Sequence, residues 1–409
     1  VFTFSCSNDD MIVSDTDQQK ETPKIPLDDE YVEPGIIRIK LKAEAEAQLD
    51  IRTKDDGTLI TGVASIDQLI SQLKVTEIKR TFRHGGDHEN KMRKAGLHLW
   101  YDIIFDPEQP MTKSYSTVLN VKDAMIVEPV MKIRRIDPGK TTPLTQELAE
   151  SLVRIQTNAT ADIPKIDKPL ASLPGAKPDP YLSYQWHYHN EGTLRNSIPA
   201  ADINLYKAWE IETGKPQVIV AIIDGGIEIT HPDLAQNLWV NEAELNGIKG
   251  VDDNDAIKGK SYIDDIHGYN FVYETGEITG HEHGTHVAGT VAAVNNNGIG
   301  VAGVAGGNGS KDSGVRLMSC QIFAYDKEGK EVYAEKNKQE AFVYAANNGA
   351  VIAQNSWAYN WTGSEMDLLE VDKDAINYFI ENAGTDKDGN QVGPMKGGIV
   401  IFAAGNDNI

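Results

Sequence analysis

The chain has 409 residues, of which 40% are hydrophobic and 24% are charged. These proportions are ordinary for globular proteins and exclude wholesale disorder, and at about 150 residues per domain the length predicts two or three domains. The formal net charge of -22 disfavours binding to a nucleic-acid backbone and leaves many carboxylates for cations. Two cysteines are too few for a disulfide framework. The longest apolar runs, such as residues 218–223, are far shorter than the ~18 residues that span a bilayer.

The first residues predict a processed or incomplete chain that is exported and lipid-anchored. The chain begins VFTFSCSNDD, without Met. This short apolar stretch, small residue, Cys6 and polar run resemble the end of a bacterial lipoprotein signal, which implies a lipid on Cys6 and a place at the cell envelope, or secretion. An ordinary cysteine near a frayed terminus is the alternative. Residues 7–30 are polar and typical of a solvated tether, so residues 1–30 are assigned to this N-terminal segment.

Residues 31–137 predict a small α+β domain. Alternation over 36–41 predicts a strand, and apolar residues at helical spacing predict a helix over 65–73. Further strands are predicted over 75–82, 96–105 and 124–136, and a second helix over 112–121. Pro129 predicts an edge position or a bulge in the last strand. The order β-α-β-β-α-β is that of the ferredoxin-like arrangement.

Two weaker features lie within this domain and directly after it. His84 and His88 lie around Gly-Gly-Asp in a predicted loop; a metal there is an alternative to solvated loop histidines. Residues 138–180 are rich in Pro, which is typical of a linker, interrupted by an amphipathic segment over 144–155. Because exposed linkers are where proteolytic processing concentrates, we predict processing within this region.

The next segment alternates strand and helix signals. Residues 217–223 (QVIVAII) are a short apolar run, as expected of a strand buried on both faces. The run ends at Asp224, and α/β sheets place their sites at the carboxyl ends of their strands. A turn aspartate before Gly225 and Gly226 is the alternative. Residues 397–408 (GGIVIFAAGNDN) predict a second such strand, where the amide of Asn406 could stabilise an oxyanion or simply form a turn.

Between these strands, residues 280–290 (GHEHGTHVAGT) bring three histidines together ahead of a helix of small residues, which can pack closely on a sheet. Zinc peptidases carry His-Glu-x-x-His, two histidines four residues apart on one helical face. Here His281 and His286 are five apart and His283 and His286 three apart. The spacing disfavours zinc, and a zinc hydrolase that uses His281, His283 and His286 remains only as an alternative.

The segments IIDGG with HPDL, HGTHVAGTVAA and VIFAAGN, in that order, resemble the subtilisin-like serine peptidases, or subtilases. The resemblance covers about residues 181–409 and implies an α/β fold with a mainly parallel sheet and flanking helices, incomplete here. It implies that Asp224 is the triad acid, His283 the general base and Asn406 the oxyanion donor. Gly225 departs from the usual Ser or Thr and removes a hydroxyl partner for Asp224.

The resemblance also concerns the nucleophile and the substrate. The family's serine stands in a Gly-Thr-Ser-x-Ala motif well after the oxyanion Asn, and no serine of this sequence has that context. We therefore expect the serine beyond residue 409. Ser356, Trp357 and Ala358 match the extended segment on which a peptide adds as a strand, an ordinary strand end being the alternative. Trp357 is bulkier than the usual residue and is expected to narrow a specificity pocket.

Two regions predict structural calcium, which prefers hard oxygen ligands. The acidic stretch over 250–272 resembles an insertion that is proposed to hold calcium in many subtilases, a solvated acidic loop being the alternative. Its candidate ligands are Asp252, Asp253, Asn254, Asp255, Asp264 and Asp265. The second region matches the family's tight calcium site, although its loop has one residue more than usual. Its candidate ligands are Gln185, Asp233, Val294, Asn296, Asn297, Ile299 and Val301.

Beside such a catalytic domain, the ferredoxin-like domain resembles a subtilase propeptide, which assists folding and blocks the site. The sequence thus predicts a serine endopeptidase zymogen acting on polypeptides, inactive without its serine: tether 1–30, propeptide 31–137, linker 138–180 and catalytic domain 181–409. The alternative is an inactive subtilase-like binding protein. Neither interpretation involves nucleic acid.

Overall fold

The computed structural model describes residues 26–136, 177–192, 197–252, 262–361 and 367–406. Cys6, the tether over residues 7–25 and most of the linker, including its amphipathic segment, lie outside the described residues. None of the helices in the described part of the chain combines the length and apolarity that a membrane crossing needs.

The first unit is a four-stranded antiparallel sheet with helices. Its elements are β1 (Val32–Leu41), α1 (Ala43–Glu46), β2 (Arg52–Thr53), β3 (Leu59–Ile60), α2 (Ala64–Leu73), β4 (Glu77–Arg80), α3 (Glu89–Lys94), β5 (Trp100–Ile104), α4 (Met111–Leu119) and β6 (Ala124–Met131). The strand order β4-β5-β1-β6, all antiparallel, is that of the ferredoxin-like fold. The α+β prediction is therefore confirmed, and Pro129 lies in an edge strand.

Two details of this unit differ from the prediction. The strand expected over 124–136 is two strands, because β7 (Ile133–Arg135) leaves the sheet and pairs with a strand of the second unit. The stretch around His84 and His88 is also more ordered than a loop, with a 3-10 turn at Gly86–His88 that leads into α3. Helix α3 (ENKMRK) escaped prediction because a single apolar residue, Met92, gives no periodicity.

The second unit is built on a mainly parallel sheet, as predicted. Its elements are α5 (Leu205–Trp209), β8 (Ile219–Gly225), α6 (Glu242–Leu245), β9 (Gly268–Asn270), α7 (Glu282–Ala292), β10 (Arg316–Tyr325), β11 (Glu331–Tyr333), α8 (Glu340–Asn347), β12 (Ile352–Asn355), β13 (Trp357–Tyr359), α9 (Glu370–Asn382) and β14 (Ile399–Phe402). The order is β11-β10-β8-β12-β14, with β9 on β10. Only β11 runs antiparallel to its neighbour.

Strand β8 is buried on both faces, as its apolar run predicts. Ala221 and Ile223 belong to a core cluster that continues into the first unit. Val220 and Ile222 face a second cluster, which includes Ala288 of α7. The central strand therefore holds its carboxyl end rigidly between two packed layers.

The two units are joined by polar contacts as well as by this shared core. Buried Arg38 of β1 donates to the side chain of Gln339 (3.1 Å) and to the carbonyl of Lys336 (2.8 Å). Glu128 of β6 accepts hydrogen bonds from the N–H groups of Glu370 and Val371, at the start of α9. These contacts seat the first unit on helices α8 and α9 and direct β7 toward the carboxyl end of the parallel sheet.

Candidate active site

An aspartate and a histidine meet where β8 ends. Asp224 is fully buried, and its Oδ1 lies 2.7 Å from Nδ1 of His283 and accepts the N–H of Gly225 at 2.7 Å. His283 lies in the first turn of α7. A Cβ on Gly284 would lie 2.0 Å from the carbonyl oxygen of Gly225, so only glycine lets the helix approach the strand this closely. The predicted pair is thus brought together by close helix–strand packing.

The surroundings of the His283 ring raise its pKa. Nε2 of His283 lies 3.1 Å from the carbonyl oxygen of Ile136, so acceptors face both ring nitrogens. Burial alone would lower the pKa of His283, but the hydrogen bond and charge of Asp224 outweigh it and raise that pKa. Burial raises the pKa of Asp224, against hydrogen bonds from His283 and Gly225. Within the described residues, Oδ2 of Asp224 has no hydrogen-bond partner.

The ring of His281 occupies the space beside this pair. Its Nδ1 accepts the N–H of His283 at 3.2 Å and caps α7, while Nε2 lies 3.0 Å from Glu331. The ring stacks on Tyr325 at 4.7 Å. A Cβ on Gly225 would lie 2.6 Å from Cγ of His281, which explains why glycine replaces the usual Ser or Thr. The histidine spacing suggested His281 only as a candidate metal ligand and gave no sign of this packing role.

The extended segment predicted to bind substrate pairs here with β7 of the same chain. Trp357, Ala358 and Tyr359 are in antiparallel register with Arg135, Arg134 and Ile133. The N–H of Ile136 continues the pairing and donates to the carbonyl of Ser356 at 2.9 Å. Residues 133–136 therefore lie as an added strand, with the Ile136 carbonyl directed at His283.

A cavity of about 730 Å³ adjoins the end of this added strand. It is lined by Ile136, Trp357 and Asn406, among others, so the predicted oxyanion donor borders the space next to the Ile136 carbonyl. Trp357 is 5% exposed, and its ring packs edge-on against Phe402 with centroids 5.5 Å apart. Trp357 forms part of the cavity wall, and its narrowing of a specificity pocket stays a prediction.

The predicted tight calcium loop also comes together, with one correction. Oδ1 of Asp233 accepts from the side chain of Asn297 (2.8 Å) and Oδ2 from the N–H of Val301 (3.0 Å). Gln185 does not reach this site, because its amide exchanges two hydrogen bonds with the backbone of Ala302. Asp179 takes that place instead.

Asp179 fits a cation site on its own chemistry. Its carboxylate accepts the N–H groups of Asn296 (2.8 Å) and Asn297 (3.1 Å). Burial raises its pKa to about 6; backbone hydrogen bonds oppose the rise, and the charge of Asp233 adds to it. A cation would offset the burial of both carboxylates and the effect of Asp233 on Asp179. Of the other predicted ligands, Ile299 is 41% exposed, and Val294 donates its N–H to the carbonyl of Asp233.

The acidic stretch is only partly described, since Asp253, Asn254 and Asp255 lie outside the described residues. Asp265 is buried and accepts from Tyr344 and Asn241. Burial raises its pKa to about 8. Asp264 accepts the N–H of Gly250 instead, and Asp252 is 5% exposed. These interactions are compatible with either a cation site or a hydrogen-bonded acidic cluster.

The three histidines do not form a zinc site. His281 and His283 direct ring nitrogens to two different carboxylates, those of Glu331 and Asp224, and His286 is exposed. Over the described ranges, no group of three or more His, Cys, Asp or Glu side chains could hold a metal ion. The calcium sites considered above depend partly on carbonyl and amide oxygens.

Two family models match this sequence. The model described as "Subtilase family" matches residues 215–409, and the model "N-terminal of Subtilase family" matches residues 37–192. The second match covers the ferredoxin-like unit and the first the parallel sheet with Asp224 and His283.

Individual proteins are similar over shorter stretches. "Subtilisin-like protease 1" of Plasmodium vivax is 41% identical over 112 residues, which is 27% of this chain and 16% of that protein. "Thermophilic serine proteinase" of Bacillus sp. (strain AK1) is 27% identical over 200 residues, 49% of this chain and 36% of that protein. Fervidolysin from Fervidobacterium pennivorans, a solved structure, is 18% identical with a TM-score of 0.49, covering 94% of this chain and 41% of that one. The alignments thus span well under two thirds of these relatives.

Proposed function

Because the chain belongs to the subtilase family, we propose that it is the zymogen form of a serine endopeptidase. Asp224 orients His283 and stabilises its imidazolium, and His283 takes the proton of a serine hydroxyl. Asn406 donates to the oxyanion that forms on the attacked carbonyl. The serine is supplied by sequence beyond residue 409, because none of the 409 residues stands in the family's motif.

One observation carries this proposal: residues 133–136 occupy the position of a peptide substrate. The strand pairs with the extended edge at Trp357, and the Ile136 carbonyl lies 3.1 Å from Nε2 of His283. A carbonyl there is within reach of the general base's proton and borders the Asn406 cavity. The first unit is therefore a propeptide that inhibits its own catalytic domain until it is removed.

A serine-directed probe tests the enzyme directly. Full-length protein should be labelled covalently by a fluorophosphonate, and labelling should fall at least about 100-fold in His283→Ala. Sequencing the gene past codon 409 separates the rival: a stop codon with no labelling supports an inactive binding protein. Peptide hydrolysis that survives a chelator and is abolished by the fluorophosphonate excludes a zinc hydrolase.

We also propose that the propeptide assists folding. Its contacts to α8 and α9, through Arg38 and Glu128, hold the starts of both helices before substrate is present. The role is tested by comparing the refolding yield of the catalytic domain in the presence and in the absence of residues 34–136. Equal yields would contradict it.

Calcium is the proposed structural ion. Asp179, Asp233 and Asn297 would hold it in the tight site, and it would supply charge neutralisation for two buried carboxylates. The acidic stretch around Asp265 is the second proposed site. Calorimetric titration of chelator-treated protein with Ca²⁺ should show a binding event that is lost in Asp179→Asn, while binding at the second site persists.

The N-terminal segment supports a proposal about location. Cys6 would carry the lipid that anchors the protein at the cell envelope, with residues 7–30 as the spacer. Mass spectrometry of the N-terminal peptide should find a lipid mass on Cys6, and Cys6→Ser should release the protein into the medium. An unmodified Cys6 in membrane-bound protein would refute it.

A further inference from the structure

Arg135, the residue before Ile136, places its guanidinium between two carboxylates. Its Nη1 lies 2.7 Å from Oε1 of Glu282 and 3.2 Å from Oε1 of Glu331. Glu282 directly precedes His283, and Glu331 begins β11. Glu282 and Glu331 therefore lie near the catalytic base. They contact the side chain of Arg135, the residue that directly precedes the Ile136 carbonyl facing His283.

Both carboxylates are held in place by other groups of the catalytic unit. Glu282 also accepts the hydroxyl of Tyr325 at 2.7 Å. Glu331 accepts from the hydroxyl of Tyr333 and lies 3.0 Å from Nε2 of His281. These partners belong to the second unit, so they would still position the acidic pair after residues 133–136 have left.

Their charges are stable near neutral pH. Burial would raise the pKa of Glu282, but hydrogen bonds from Tyr325 and Arg135 lower it to about 2. Burial likewise opposes ionisation of Glu331, and hydrogen bonds from His281 and Tyr333 outweigh it and lower its pKa. The side chains are 60% and 20% exposed. Two ionised carboxylates therefore face the substrate edge and can be reached by an incoming cation.

We propose that Glu282 and Glu331 are specificity-determining residues that select an arginine or lysine side chain at the position occupied by Arg135. The preferred substrate class is then a polypeptide with a basic residue immediately before the residue whose carbonyl is attacked. This inference rests on the proposed peptidase function. Arg135 would then also contribute to inhibition, since the propeptide presents the side chain that the site prefers.

The first test varies only the substrate. Peptides Ile-Arg-X-Ile, extended beyond the cleaved bond, carry Arg, citrulline or Glu at X and are offered to processed full-length protein. Citrulline keeps the shape of arginine and removes its charge. We expect kcat/KM for the Arg peptide to exceed kcat/KM for the citrulline peptide by about ten-fold. This is the scale of one charge-assisted hydrogen bond, which is stronger than an ordinary surface ion pair. The Glu peptide should have the lowest kcat/KM of the three.

The second test varies the protein. Glu282→Gln should reduce the Arg-over-citrulline ratio to about three-fold or less, because it removes one of two charges from an exposed side chain with little risk to folding. The matched control is Glu328→Gln, an exposed glutamate in the turn after β10, which should leave the ratio unchanged. Glu282→Gln combined with Glu331→Gln should abolish the preference.

The outcomes separate the two proposals. No cleavage of any peptide and no fluorophosphonate labelling would mean that the peptidase proposal is wrong. Cleavage of all three peptides with equal kcat/KM would leave the peptidase in place and overturn the basic-residue preference. A preference that survives the double substitution would overturn the assignment of Glu282 and Glu331.

Discussion

Glu128 offers a quantitative test of how the propeptide is fastened. It is 7% exposed and accepts two backbone N–H groups at the start of α9, from Glu370 at 2.6 Å and Val371 at 3.2 Å. Replacing it by Gln keeps the shape of the side chain but only one oxygen acceptor for the two donors. Loss of the second hydrogen bond does not depend on pH, so the pH dependence of the difference from wild type reports the carboxylate charge.

The pKa of Glu128 is raised from 4.5 to about 7, because burial disfavours its charge more than the two N–H donors favour it. The folded protein then binds this proton more tightly than the unfolded chain. The contribution of Glu128 to the free energy of unfolding is thus complete below about pH 4.5, falls as the pH rises to about 7, and is constant above. At about 1.4 kcal/mol per pKa unit, the loss is about 3 kcal/mol, which Gln does not suffer.

Urea unfolding of the full chain at pH values from 4.5 to 8 measures this difference. Relative to wild type, Glu128→Gln should gain about 3 kcal/mol between pH 4.5 and 7.5. Glu108→Gln, at an exposed position, is the matched control and should show no such slope. A flat difference would show that the helix N–H donors balance burial, and one that favours wild type as the pH rises would show that they outweigh it. Either result would contradict a raised pKa for Glu128.

Three further predictions concern the site. Asp224→Asn should lower the pKa of His283, because it removes the charge that raises it; NMR titration of the ring checks this, and an unchanged pKa would contradict the pairing. Gly225→Ala should lower the free energy of unfolding by about 1–3 kcal/mol, since its Cβ would lie 2.6 Å from the His281 ring. His281→Ala should relieve that loss in a double-mutant cycle, whereas additive losses would exclude the clash. Calcium at 100 times its Kd should raise the free energy of unfolding by about 2.7 kcal/mol. EDTA should reverse this gain, and Asp233→Asn should largely lack it. An equal gain in that variant would place the ion elsewhere.

The parts of this molecule that sequence predicts well are those with local signals. The apolar run before Asp224, the small residues after His283 and the strand before Asn406 each identify an element from its own residues. The helix α2 follows from its spacing, and its four apolar residues are buried. Such elements carry the pattern of their own burial, so no knowledge of neighbours is needed.

What the sequence could not predict depends on distant partners. Arg38 and Gln339 are 301 positions apart, and nothing local to β1 indicates that its arginine crosses to the second unit. The break between β6 and β7 likewise depends on pairing with Trp357. The resemblance points to Gln185 as a calcium ligand, whereas Asp179 lies just before the predicted domain, and only the fold brings its carboxylate to the calcium loop. Exact domain boundaries near residues 137 and 180 stay predictions.

The ions between the two units have a consequence for what happens when the units part. Arg38 reaches across to Gln339, but its counter-ion, Asp102 at 2.7 Å, belongs to its own unit. Burial lowers the pKa of Lys338 in the second unit, and the charges of Asp372 and Glu335 of that same unit oppose this lowering. Arg38 and Lys338 therefore keep counter-charges from their own units when the units part. Separation does break ion pairs elsewhere, such as Lys40–Asp374 at 2.6 Å and Arg83–Glu340 at 3.3 Å. Departure of the propeptide would take Arg83 away from the buried carboxylate of Glu340, so this ion pair favours the joined state of the two units.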